Sequence, residues 1–396
     1  MRKFIQVFYF CFVMVLIPST VYAEQQGDPS SNDVMTKMMN EQMEQLGLDE
    51  LSQFWEEVMG EYGGYLPESQ RGTLMEFLKG EKDFSVREWL RGIGAYAIQE
   101  ITVNGKLLGM LLLLTVFSAF LQSLHTAFEK GTVSKVAYAV VFMVLIIIAL
   151  NSFRVTVDYA VTAIDTMSQF IYALIPLILA LIASSGGITS AAFFHPVLLF
   201  LIQTSGLLIQ AVVLPLLFMS LLLSIVSSLN ENYKVTHLAG LLKKAGIGVL
   251  GVFMAVLLGV ISLQGTASAV ADGVAIRTAK YVTGNFVPIV GRMFTDAADT
   301  VLTASILIKN TVGLAGVGII LLIAAFPAVK ILVIVLVYKL AGALLQPIGD
   351  GPIISCLQTI SNCMMYVFAS LAIISFMFFL TITIVITSGN ITMMIR

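Results

Sequence analysis

A run of 34 residues, PVLLFLIQTSGLLIQAVVLPLLFMSLLLSIVSSL from Pro196 to Leu229, contains no charged side chain. That stretch restricts the chain's architecture before any motif is considered. About 20 apolar residues in a helix cross the roughly 30 Å of bilayer hydrocarbon. Comparable runs begin at Leu107 (LLGMLLLLTVFSAFLQSL) and at Val136 (VAYAVVFMVLIIIAL). Within lipid, backbone polar groups have no water to bond with, so only helices or closed barrels span. The runs lack the alternation of barrel strands. The expected fold is all-α: a polytopic membrane helical bundle with a small helical extracytoplasmic N-terminal domain.

Charged residues make up 12% of the chain, against about 25% in soluble domains. Their distribution is uneven. Residues 24–104 hold 16 Asp+Glu against 6 Lys+Arg, whereas residues 105–396 hold 8 against 14. An acidic, water-exposed head therefore joins a slightly basic membrane body. No concentrated basic surface of the kind nucleic acid requires is present, so no nucleic-acid partner is expected.

Arg2 and Lys3 precede the apolar stretch Phe4–Ile17, and Pro18 breaks it. Val21 and Ala23 suit the −3 and −1 positions of a signal-peptidase site, which makes residues 1–23 a signal peptide. An uncleaved first helix is the alternative. Either way residues 24–104 lie outside the cytoplasm. Cys356 and Cys363, seven residues apart, would sit about 10 Å apart on one helical face, beyond disulfide reach.

In the head, Met35, Met38, Met39, Met43 and Leu46 recur at helical spacing, as do Leu51, Trp55, Val58 and Tyr62. Gly63 and Gly64 end the second pattern. Ser85 and Glu88 form a capping box for a helix bearing Trp89, Leu90, Ile93 and Ala97. Such short helices bury little apolar surface alone, so they should pack on the membrane body or on an extracytoplasmic partner.

Span counting places membrane helices over 105–263 and again over 311–396, giving seven mature spans within a range of six to eight. Ser152–Ser168, with Arg154, Asp158 and Asp165, reads as an outer connector between two of them. The lysines around the connector after Leu229 should be cytoplasmic. That restores the parity only if Pro196–Leu229 folds as two short spans or Ala183–Phe200 is re-entrant. Residues 264–310 differ in kind, carrying Asp272, Arg277, Lys280, Arg292, Asp296, Asp299 and Lys309. These are too many charges for a lipid-facing span. The segment reads as one or two amphipathic helices at the interface or lining a polar passage. Its charges, with Lys339 and with Asp350 in the turn Gln346–Pro352, are the candidate passage-lining or assembly residues. Ala267, Ala271, Ala275 and Ala279 repeat every four residues as a smooth stripe for helix packing.

Gly246-Ile247-Gly248-Val249-Leu250-Gly251 matches G-x-G-x-x-G letter for letter, but the dinucleotide fingerprint needs a strand and a βαβ unit. Here it opens a membrane helix, so Gly246 and Gly251 read as packing glycines. His125, His195 and His237 lack ligand spacing. No Walker lysine, serine elbow or H-E-x-x-H site is present. No catalytic, metal or cofactor-binding residue is assigned, and no enzyme activity is expected.

Two tracts bear a specific resemblance. They are GTASAVADGVAIRTAKYVTGNFVPIVGRMFTDAADTVLTASILIKNTVG, Gly265–Gly313, and LVYKLAGALLQPIGDGPI, Leu336–Ile353. With the signal segment, acidic head and polytopic body, they resemble the stage III sporulation protein AE family of endospore-forming bacteria. The resemblance implies a multi-pass membrane subunit of a sporulation-specific, channel-like or secretion-like complex between mother cell and forespore, required for forespore development. Its implied location is the mother-cell-derived membrane around the forespore, with the head in the intermembrane space. Its implied partners are ring-forming membrane proteins, a secretion-type ATPase and a forespore membrane protein. A stand-alone small-solute transporter and a purely structural scaffold are the alternative expectations.

Overall fold

The computed structural model describes residues 49–68, 71–78, 82, 85–127, 132–229, 235–286, 290–348 and 352–394. The expectations placed on residues 1–48, including the signal segment and the Met35–Leu46 pattern, lie outside these. The described elements are helical throughout. In the head, α1 (Asp49–Tyr62) passes through a 3-10 turn at Gly63–Tyr65 to α2 (Leu74–Leu78) and α3 (Val86–Val103). The body comprises α4 (Gly105–Ala127), α5 (Thr132–Ser184) and α6 (Ile188–Leu207). A π-helical segment, Leu208–Val213, then leads into α7 (Leu214–Leu229). The chain finishes with α8 (Thr236–Phe286), α9 (Val290–Leu345) and α10 (Pro352–Met394).

The apolar positions Leu51, Trp55, Val58 and Tyr62 all lie buried on one side of α1, and Gly63 and Gly64 end it as their spacing predicts. Ser85 stands in extended conformation at the N-cap of α3, but its side chain does not make the capping hydrogen bond. Trp55 forms the head's centre. Its Nε1 donates to Gly72 O at 2.7 Å, and its ring packs against Phe77 and Trp89 at 5.1 and 6.5 Å. This small core continues onto the body. Phe54 meets Phe170 of α5 edge-on at 5.6 Å, and Tyr62 stacks on Phe326 of α9 at 3.9 Å. The head therefore packs on the membrane body.

The span count needs correcting. Among the described residues, five helices are long and apolar enough to cross a membrane, six if the pair Arg87–Val103 and Gly105–Phe120, bent by 41°, counts as one more. Seven was too many because two expected connectors are helical. Ser152–Ser168 holds no Gly or Pro, and α5 runs through it for 53 residues in all. Arg154 and Asp158 face outward there while Phe153, Thr156, Ala160, Ala163 and Met167 are buried. The dip in hydropathy marks one polar face, not a turn. Pro327 likewise lies inside α9, so the two spans expected on either side of it are one helix.

The run Pro196–Leu229 is neither re-entrant nor a hairpin, since Ile188–Ser227 forms one continuous candidate span. The reversal comes earlier, at Gly186, whose φ of 91° lies in the left-handed region that favours glycine. A side chain there would also strike Ile276 of α8. One crossing fewer before α7 removes the parity conflict with the lysines that follow it.

The register of the long helices follows from their cross-contacts. Tyr338 Oη donates to Ser152 Oγ at 2.8 Å, and Ser220 Oγ donates to Ala239 O at 2.7 Å. At the other end Ser388 Oγ donates to Gly265 O at 2.9 Å. Glycines allow close approach where helices cross: Gly313 lies against Ile386 and Gly316 against Leu174.

Candidate functional site

Two levels of the bundle carry charge. At the end where α5 turns into α6, Asp272 of α8 is 3% exposed. Its Oδ1 accepts from Thr189 N and its Oδ2 from Ser190 N, both at 2.8 Å. The first turn of a helix leaves N–H groups without intrahelical partners. Gly187, the N-cap of α6, has no side chain to serve them. Asp272 thus caps a neighbouring helix from across the bundle, and its charge sits favourably at the positive end of the helix dipole.

Beyond it, Lys280 Nζ lies 2.5 Å from Asp299 Oδ1, tying α8 to α9 through partly exposed side chains. Lys309 is fully buried among apolar residues of α9. Its ammonium donates to Ile386 O at 3.0 Å and Asn390 Oδ1 at 2.9 Å, bridging to α10. A buried ammonium is tolerated only when so bonded.

The second level lies near the middle of α5, where the head docks. Lys330 of α9 points over the rings of Tyr159 at 5.2 Å and Tyr62 at 5.9 Å, with Glu61 Oε1 at 3.8 Å. Around it Glu57, Glu61, Asp158, Tyr159, Thr162 and Lys330 line a cleft of about 360 Å³ between head and body. Burial, and after it the Glu61 carboxylate, pushes the Tyr62 phenol well above its ordinary value. Lys243 of α8 lies over the Tyr366 ring at 5.0 Å, and Arg154 lies 3.8 Å from Asp158. Together these residues form a charged girdle around the bundle.

Comparison with known proteins agrees with the tracts that bear the charged pattern. The family model for stage III sporulation protein AE matches residues 69–389. The chain belongs to the stage III sporulation protein AE family. It is 60% identical over 351 residues to stage III sporulation protein AE of Bacillus subtilis (strain 168), covering 89% of this chain and 88% of that protein. No solved structure matches. The matched region of this family member takes in Asp272, Lys280, Asp299, Lys309 and Lys330, whereas Glu57, Glu61 and Tyr62 precede it.

The residues singled out from sequence are dispersed by the fold. Asp272, Lys280 and Asp299 lie at the α5–α6 end, while Arg277 there is exposed. Lys339 is exposed on α9, below the girdle. The side chains of Arg292 and Asp296, and Asp350 altogether, lie outside the described residues. Ala267, Ala271, Ala275 and Ala279 face outward along α8. Gly246 is buried near Val213 and Leu216, whereas Gly251 has open space beside it. His195 and His237 are exposed on different helices. Among the described residues no group of three or more His, Cys, Asp or Glu side chains could hold a metal ion. Cys356 and Cys363 are buried on α10 and form no disulfide.

Sequence reasoning missed the particular parts played by Lys309 and Lys330. The signal for Lys309 was available: it stands alone between SILI and the apolar stretch that follows Asn310.

Proposed function

We propose that this chain is a non-enzymatic, multi-pass subunit of the complex joining mother cell and forespore, and that the conduit forms between subunits and not through one bundle. The family membership supports the first part. The packing of the interior supports the second. Among the described residues Phe170, Phe194, Phe326, Phe378 and Tyr338 are all less than 2% exposed. The cavity walled by Ile171, Leu174, Ile178, Leu198, Ile382 and Val385 measures about 10 Å³, which holds one water at most. Among the described residues, that level leaves no room for a solute to pass.

In this reading the chain sits in the mother-cell-derived membrane, with its head in the intermembrane space. It meets ring-forming membrane proteins, a secretion-type ATPase and a forespore membrane partner. Exposed charges such as Arg277 and Lys339 would line or join the surfaces between subunits. The test replaces Arg277, Asp299 and Lys339 with neutral residues, singly and together, in the sporulating cell. Forespore gene expression should fall while the protein inserts at normal levels. Normal sporulation of the triple variant at normal protein level would remove the role of these charges. Solute uptake by the purified chain alone in liposomes would favour a stand-alone transporter instead.

A further inference from the structure

The girdle holds a groove that neither the head nor the packed bundle uses. It lies between α5 and α7, has a volume of about 820 Å³, and is walled by Phe153, Val157, Val161, Leu214, Pro215 and Phe218. Pro215 has no N–H to give to the carbonyl four residues back. The helix passes that defect through the π-helical segment Leu208–Val213 directly before it. Such an inserted residue widens the helix and is frequent at functional sites. The groove is thus built into the sequence of α7.

Its polar groups are few. Arg154, Asn151 and Gln210 line it. The Arg154 side chain is 81% exposed, and its nearest acid, Asp158, is a long 3.8 Å away and 64% exposed. Gln210 Nε2 donates to Asp165 Oδ1 at 3.3 Å. Asp158 and Asp165 do not line the groove itself. The occupant must therefore bring a long apolar part and one anionic oxygen group beside Arg154.

We infer that this groove binds an anionic phospholipid, with an acyl chain along Phe153, Val157, Leu214 and Phe218 and the phosphate on Arg154. Position favours that occupant over a soluble ligand. The girdle separates two apolar levels of the bundle, so it lies at headgroup depth whichever level the bilayer covers. A guanidinium pairs with phosphate through two parallel N–H donors. An apolar groove open to lipid is filled by an acyl chain at no cost in polar desolvation.

The test uses the full-length protein, purified in mild detergent and offered phosphatidylglycerol or phosphatidylcholine, with retained lipid read by native mass spectrometry. The unaltered chain should retain phosphatidylglycerol severalfold more than phosphatidylcholine, because both present a phosphate to Arg154 but the choline cation offsets its charge there. Arg154→Gln should lower retention of both lipids, of phosphatidylglycerol most, and bring the two to parity, and Arg154→Lys should restore part of the preference. Val157→Trp, which fills the groove, should lose both lipids. Equal retention of the two lipids by the unaltered chain, or the same preference in Arg154→Gln, overturns the inference. Retention of neither lipid also overturns it and points to a protein segment as occupant.

Discussion

Both carboxylate oxygens of Asp272 are taken up by backbone N–H groups of a helix more than 80 residues earlier in the chain. Sequence could show that a charge stood among alanines on α8, and so mark it as unusual. It could not show the partner, because the groups that need the charge are backbone donors without any sequence signature. The same holds for Lys309, whose acceptors are a carbonyl and an asparagine on α10. Asp272→Ala leaves the buried N–H of Ser190 and the more exposed one of Thr189 unmet and should cost about 1–3 kcal/mol. Asp272→Asn, which keeps one acceptor oxygen, should cost less. Thermal unfolding in detergent measures both, and an alanine variant as stable as the original would show that water replaces the carboxylate.

Among the elements, the first head helix and the helical character of the body were legible, and the lengths of the body helices were not. Trp55 and Tyr62 fall on a strict helical stripe that ends in two glycines, and the structure builds α1 there. In the body, charge was read as a sign of connectors, yet α5 and α9 carry charged faces without breaking. The attachment of head to body rests on the Tyr62 ring, stacked on Phe326 beside Tyr96. Burial and the neighbouring Glu61 raise the phenol above its ordinary value. A proton held more tightly in the folded state gives stability that is complete below the unfolded value of about 10 and declines as pH rises beyond it. Limited proteolysis should therefore show the head loosening above about pH 10 in the original chain. Tyr62→Phe, which keeps the ring and removes the titrating group, should reduce that alkaline sensitivity. Identical pH profiles for the two proteins would rule out Tyr62 as its source.

For the whole molecule, helix length is the controlling quantity. At about 1.5 Å per residue, the 53 residues of α5 extend about 80 Å, against roughly 30 Å of hydrocarbon. The girdle at Arg154, Lys243 and Lys330 divides that length. On one side, residues 107–127 and 136–153 of α4 and α5 hold no Asp, Glu, Lys or Arg. On the other, neither do 166–184, 188–209, 245–271 and 310–329. Both levels expose large apolar side chains, Leu113 and Ile147 in the first and Val256 and Leu263 in the second. One bilayer cannot cover both. On the proposal that the conduit forms between subunits, neighbouring subunits cover the level outside the lipid. A photoactivatable probe dissolved in the lipid, applied to the assembled complex, should label cysteines placed at one pair of positions only, either Leu113 and Ile147 or Val256 and Leu263. The unlabelled pair should instead form crosslinks to other subunits. Labelling of both pairs by the lipid probe would mean that the long helices lie steeply tilted in the membrane and that no such subunit surface exists.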